Sequence, residues 1–366
     1  MAQDDYAILV GISVYPNPGF AKLDGPLLDI ALVKDWLSRK DGGDVPEDRI
    51  QLVPSPTPYP SPVDPDEAPP TAEQFDRLFR KLLRERMALK EQRVKGRLYL
   101  YFSGHGFCSR RMNRDAEAAL YSANATREYY DHIYGTQYAR IAKGKALFKE
   151  VVLIMDCCRD AEVNREPTPR PYTDTPDDDL AADVPLLAIY AVPKGGKAQE
   201  RPIAERGGEV HGLLTHALIK AFDEARPSRD GLLSGSELRD YLRQTWTAIC
   251  GADAAPPPEV NLLGTGEILF ASRNRGAPLS FRFDTPQPAG TTLSLRNGWF
   301  KRLAVLAADG DASADLFDHD IVMNLQRNGP ELSLRLPPGL YEYELSSAAG
   351  QSHAFKLEGD GVHVRF

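Results

Sequence analysis

The chain has 366 residues, 42% of them hydrophobic and 26% charged, which is ordinary globular usage and excludes wholesale disorder or a collagen-like repeat. Fifty-two acidic against 44 basic residues give a net charge of −8, which argues against a nucleic-acid-binding surface. At about 150 residues per domain, the length predicts two domains.

Residues 5–12 form a continuous apolar run, predicting a strand covered on both faces as in a parallel sheet. Leu28, Leu32, Val33, Trp36 and Leu37 are spaced for a helix over 27–37, and 50–53 reads as a short strand. Residues 54–70 hold eight prolines, so they form a stiff extended loop, either a plain connection or a wall of a cleft. Thr71 and Gln74 fit a capping box that opens a helix with Phe75, Leu78, Phe79 and Leu82 on one stripe. Strand 97–102 runs into Ser103-Gly104-His105-Gly106, and strand 151–155 runs into Asp156-Cys157-Cys158-Arg159. Further strands are expected at 186–191 and 268–271, with helices at 136–148, 212–225 and 235–249, the last with Ser234 and Glu237 as a capping box. This alternation predicts an α/β domain over 1–273, a doubly wound, mostly parallel sheet with flanking helices. The polar stretch 159–185, with five prolines and the run Asp177-Asp178-Asp179, interrupts it as a long loop. Beyond a linker at 274–278 the pattern changes to short alternating segments at 279–283, 292–295, 304–307, 321–325, 332–336, 341–346, 354–357 and 362–366. Turn residues separate them, so 276–366 is expected to be a small β-sandwich serving interaction or regulation.

No apolar run approaches the ~20 residues of a membrane-spanning helix, and the N-terminus lacks the basic patch and apolar core of a secretory signal; no membrane partner is expected. Cys108, Cys157, Cys158 and Cys250 are too few for a disulfide scaffold and lack metal-site spacing. A reducing cytoplasm and no metal or other required cofactor are therefore expected. His319, His353 and His363 are too scattered to read as a metal site. No GxxxxGK[ST] loop is present, which removes the commonest phosphate-binding reading.

In a doubly wound sheet, active sites lie beyond the C-terminal ends of the strands. Two strand ends here carry reactive groups, His105 and the Cys157-Cys158 pair. A thiol that attacks a carbonyl and an imidazole that moves protons suffice for covalent acyl transfer. Side chains two apart along a strand share a side, so Asp156 and Cys158 are expected to face the cleft and Cys157 the packing layer.

Tyr101-Phe102-Ser103-Gly104-His105-Gly106, followed about fifty residues later by Val152-Leu153-Ile154-Met155-Asp156-Cys157-Cys158-Arg159, resembles the caspase-like cysteine peptidases, in particular the prokaryotic orthocaspases with the metacaspases and paracaspases. Residues 6–13, Leu23-Asp24-Gly25-Pro26-Leu27-Leu28-Asp29, Gly212-Leu213-Leu214-Thr215-His216-Ala217-Leu218 and Pro257-Pro258-Glu259-Val260-Asn261 extend the resemblance over most of 5–271. It does not cover 276–366. The resemblance implies a cysteine endopeptidase acting on protein or peptide substrates. Its Asp-x-Cys pattern selects Cys158 as nucleophile, with His105 as its partner and the backbone N–H groups of Gly106 and Cys158 as the oxyanion hole. It further implies an acidic S1 pocket for Arg or Lys, built from Asp29, Asp156 and Glu200. Lys194 and Lys197 depart from the pattern near Glu200, and Asp29 reads equally as a helix N-cap. Loop 159–185 lies where such enzymes are often cut, with Arg165 the best internal candidate; the alternative is an uncut, disordered insert. Some relatives need calcium, for which Asp177–Asp179 is the nearest feature, though it reads first as a solvated charge run. A role in bacterial stress, cell death or phage defence follows from the resemblance alone. The alternative is a catalytically silent scaffold, or a zymogen whose β-domain binds a protein partner.

Overall fold

In a computed structural model the described residues are 4–17, 19–59, 64–109, 117–126, 128–160, 166–173, 178–225, 232–272, 276–309, 314–317, 322–336, 339–347, 352–357 and 361–366. The chain divides into two compact units, residues 1–221 with 235–268, and residues 222–234 with 269–366.

The first unit runs β1 (Tyr6–Gly11), α1 (Pro26–Ser38), β2 (Ile50–Pro54), α2 (Ala72–Ala88), β3 (Arg97–Gly104), β4 (Gly106–Phe107), β5 (Ala119–Tyr121), β6 (His132–Ile133), α3 (Gly135–Gly144), β7 (Glu150–Cys157), α4 (Asp178–Ala181), β8 (Leu186–Tyr190), β9 (Glu200–Ile203), β10 (Glu209–Gly212) and α5 (Leu213–Glu224). After β11 (Leu232–Ser234), α6 (Gly235–Cys250) and β12 (Glu259–Leu263) complete it. The main sheet has the order β12-β8-β7-β3-β1-β2. Its pairings are parallel except β12 against β8. Strands β1, β3, β7 and β8 are buried along almost their whole length, which is why their sequences are continuous apolar runs rather than alternating ones.

Helix α1 starts with Pro26 at its first turn, where a missing N–H costs nothing, and Gly25 precedes it without a side-chain cap. Helix α2 has the expected capping box, Thr71 and Gln74 exchanging bonds of 3.2 and 3.1 Å, and buries Phe75, Phe79 and Leu82. Helix α3 stops at Gly144, short of the expected 148, because Ala146 takes a left-handed backbone with φ 44°.

Two expectations need correction. The sixth strand of the sheet is β12, not 268–271. Glu259–Leu263 has only Val260 buried, as befits an edge strand, whereas Leu269–Ala271 pairs with β11 in a separate ribbon of the second unit. Within the stretch 159–185, the described residues 166–173 are also less loose than a plain loop. Residues 166–173 are tied down by Gln137 to both backbone groups of Arg170 (2.8 Å each), by Thr168 N–H to His132 Nε2 (2.8 Å) and by Tyr172 OH to Asp76 (2.6 Å). Arg165 and the side chains of Asp177–Asp179 lie outside the described residues.

The second unit contains a four-stranded sheet (Met323–Asn328, Glu331–Leu336, Ala277–Arg282, Val362–Arg365) and a five-stranded one (Ala314–Leu316, Arg302–Ala307, Thr292–Asn297, Gly339–Leu345, Ser352–Leu357). Leu279, Phe281 and Leu334 from the first share one apolar core with Leu293, Leu295 and Leu306 from the second. Ala314–Leu316 is a short edge strand that alternation over three residues could not announce.

Candidate active site

The register of β3 on β7 sets Ser103 opposite Asp156 and Gly104 opposite Cys157, so the two reactive strand ends lie side by side. Gly104 has φ 152°, and a Cβ there would stand 2.8 Å from the Tyr15 hydroxyl; glycine alone suits that turn. The chain then presents His105. Its backbone N–H donates to Tyr15 OH at 3.0 Å, and its ring lies against Tyr15 and Phe20, centroids 5.1 and 5.5 Å away. Its Nε2 is 2.8 Å from the Ala21 carbonyl oxygen. A carbonyl can only accept, so Nε2 carries the proton and Nδ1 is left free to move one. This orienting partner was missed in the sequence, because a backbone carbonyl leaves no residue signature. Tyr59, from the proline-rich segment, donates to the Val14 carbonyl at 3.2 Å and so ties that loop to the segment holding Tyr15.

Gly106 is required by close approach. A Cβ on it would stand 2.5 Å from Cys157 Sγ and 2.8 Å from the Cys158 carbonyl oxygen. Cys157 is buried and Cys158 half-buried, its Sγ 3.9 Å from the Ala198 carbonyl oxygen. Burial pushes the Cys158 thiol up and the His105 imidazole down, the latter partly offset by the Ala21 carbonyl and the charge of Glu200. Both groups therefore rest in their neutral forms near pH 7. Arg159, only 1% exposed, anchors the turn: its guanidinium pairs with Glu259 of β12, donates to the Glu117 and Val192 carbonyls at 3.2 Å, and lies 4.4 Å over the Tyr190 ring. A fully buried arginine next to the motif was not anticipated, since arginine is ordinarily a surface residue.

The three expected carboxylates come together. Asp29 is not the N-cap of α1 but lies in its first turn, 1% exposed. It accepts from Ser103 Oγ (3.0 Å), from His211 Nδ1 (2.9 Å) and from the Gly212 N–H (3.2 Å). Asp156, 5% exposed, uses Oδ2 to accept the Thr215 N–H and hydroxyl at 3.0 and 2.6 Å. Its Oδ1 makes no hydrogen bond among the described residues. Glu200 accepts the N–H groups of Asp24 and Gly25 at 3.1 and 2.9 Å. Two glycines join the set. A Cβ at Gly25 would stand 2.9 Å from Glu200 and 3.4 Å from Asp29, and one at Gly212 would stand 2.2 Å from Asp156 Oδ2. Among the described residues no lysine or arginine forms an ion pair with any of the three. Burial raises the pKa of Asp29. Burial, then the neighbouring charge of Asp29, raises that of Asp156 to about 7.

A cavity of about 320 Å³ lined by Tyr129, Tyr130, His132, Pro169, Arg170 and their neighbours contains none of these groups. Among the described residues no cluster of His, Cys, Asp and Glu is arranged to hold a metal ion, and no helix is long and apolar enough to cross a membrane.

Residues 4–249 match the family model of the caspase domain of the C14 peptidases, two thirds of the chain, and the chain belongs to this family. A protein described as a probable protease, from a Desulfuromonadales bacterium, is 25% identical over 255 residues, 65% of this chain and 28% of that protein. The match thus spans under a third of that relative's length. Among solved structures, protein GSU0716 from Geobacter sulfurreducens is 13% identical with a TM-score of 0.41, covering 72% of this chain and 94% of that one. Caspase-1 from Spodoptera frugiperda is 8% identical with a TM-score of 0.41, covering 71% of this chain and 86% of that one. Membership in the family gives residues 4–249 a caspase-like peptidase domain.

Proposed function

We propose that the chain is a cysteine endopeptidase that cuts after Arg or Lys. The observation that carries the specificity is the cluster of Asp29, Asp156 and Glu200 without a lysine or arginine partner among the described residues, next to the strand end bearing Cys158. A buried group of carboxylates lacking counter-charge favours an incoming cation by Coulomb attraction and charge-assisted hydrogen bonds. Cys158 Sγ attacks the scissile carbonyl carbon while His105 Nδ1 takes the thiol proton. The oxyanion accepts from the Gly106 and Cys158 N–H groups. As the C–N bond breaks, His105 returns the proton to the leaving amine, leaving a thioester on Cys158. Water then attacks the thioester with His105 as base, releasing the acid and restoring the thiol.

The near-complete burial of Asp29 and Asp156 supports a second element of the reading, that the described state is a latent form whose pocket opens before substrate enters. We assign the sandwich unit to partner binding. Trp299 and Phe300, 90% and 75% exposed on one turn, support this. The test is hydrolysis of fluorogenic peptides ending in Arg, Lys, Asp or Leu by wild type and Cys158→Ala. Turnover of Arg and Lys peptides that vanishes in the variant is expected, with an initial lag if the pocket must open. Preferred turnover of Asp or Leu peptides would overturn the assignment of the carboxylates.

A further inference from the structure

His211 is absent from the chemistry above, yet it touches the carboxylate cluster. It sits on β10, 2% exposed, with Nδ1 2.9 Å from Asp29 Oδ1. The next residue, Gly212, adds its N–H to both oxygens of Asp29 at 3.2 Å and packs its Cα against Asp156. His211 Nε2 is buried and makes no hydrogen bond; the Glu209 carboxylate lies 3.6 Å away, on a side chain that is 60% exposed. A histidine kept merely for packing would be expected to satisfy its second nitrogen. Here one nitrogen is committed to Asp29 and the other is buried without a hydrogen bond, at a desolvation cost.

We infer that His211 is a positioning residue for the P1 pocket: its Nδ1–H fixes Asp29 Oδ1, so that Asp29 stands as an oriented anion behind the free Oδ1 of Asp156. This rests on the reading of the carboxylates as the Arg/Lys pocket. A carboxylate facing Nδ1 makes that nitrogen the donor. Asp29 then has Ser103, His211 and Gly212 all donating to it, which fills its acceptor sites and holds its plane. Asp29 in this arrangement supplies charge and shape, and Asp156 supplies the open lone pairs that meet the substrate cation. His211 acts on binding of the P1 side chain and leaves the thiol chemistry alone.

The geometry separates two conservative substitutions. The side-chain amide nitrogen of asparagine occupies the place of Nδ1, whereas that of glutamine reaches toward the place of Nε2. His211→Asn is expected to keep KM for an Arg peptide within about threefold of wild type, and His211→Gln to raise it about tenfold or more with kcat changed less than about threefold. Alkylation of Cys158 by iodoacetamide, which needs no P1 pocket, should proceed at the wild-type rate in both variants, and their melting temperatures report whether the fold is kept. Asp29→Asn is the reference for the underlying reading. If Asp29→Asn raises KM while His211→Asn and His211→Gln behave alike, the role of His211 is overturned and the pocket stands. If either His211 variant loses kcat and alkylation together, its role is structural and the inference falls. If Asp29→Asn leaves Arg and Lys turnover untouched, the pocket reading is wrong and the inference goes with it.

Discussion

The Cys158–His105 half of the candidate site is set among backbone carbonyl acceptors, its carboxylate half among N–H and O–H donors. The first has the Ala21 carbonyl on His105, the Ala198 carbonyl near Cys158 and the chain of Gly106 pressed on Cys157, with the side chains of Tyr15, Phe20 and Arg159 around them. The second is held by donors to the carboxylates from side chains, Ser103, His211 and Thr215, and from the backbone N–H groups of Asp24, Gly25, Gly212 and Thr215. Burial acts on both. It moves the Cys158 thiol and the His105 imidazole toward their neutral forms, and it raises the pKa of Asp29 and Asp156.

The largest effect should separate the two cysteines. Cys158→Ala is expected to lower peptide turnover by at least ~10³-fold, while Cys157→Ala, which trims a buried side chain, changes it by less than about tenfold; initial rates on an Arg peptide decide. Next, Asp156→Asn should cost about a hundredfold in kcat/KM on Arg and Lys peptides and leave iodoacetamide alkylation of Cys158 intact. Equal loss of alkylation would merge the two halves into one. Gly212→Ala puts a methyl where Asp156 Oδ2 now stands and should raise KM about tenfold, with kcat changed less.

Acidity sharpens the comparison further. Because the Asp156 pKa is raised to about 7 in the empty site, a cation binds to its ionised form and drives off a proton. Inhibition by agmatine, a small guanidinium competitor that makes no demand on Cys158, should strengthen as pH rises from 6 to 8 and level off above; Asp156→Asn should flatten that dependence. For folding the sign is reversed. A carboxyl whose folded pKa lies above its unfolded value binds the proton more tightly when folded, so Asp156 contributes stability at low pH that is lost as pH rises from about 4 to about 7. The smallest effect is expected far from both halves: Tyr172→Phe removes one hydroxyl from Asp76 and should cost about 1 kcal/mol in a denaturant titration with turnover unchanged.

What the chain shows before folding follows the same division. Strands β1, β3 and β7 are legible because burial on both faces demands unbroken apolar runs, and the Thr71–Gln74 cap because its chemistry is local. Strand β12 is not, since an edge strand with one buried residue looks like a loop approaching a strand. The residue types of the candidate site, His105, Cys158, Asp29, Asp156 and Glu200, could be proposed from motifs. Their supports could not. Ala21 acts through its carbonyl, Gly212 through the room it leaves, and Arg159 through a buried pair with Glu259, a hundred residues away in the chain. Sequence pattern marks the groups that do chemistry and passes over those that hold them by backbone or by long-range contact.

The central claim joins one thiol to one acidic pocket, and a single labelling experiment addresses both. Wild-type protein is treated with peptidyl chloromethyl ketones ending in Arg or in Asp, digested, and examined by mass spectrometry. The account predicts a covalent adduct on Cys158, formed at least about tenfold faster with the Arg reagent and slowed in Asp156→Asn. An adduct on Cys157, or faster labelling by the Asp reagent, would contradict it.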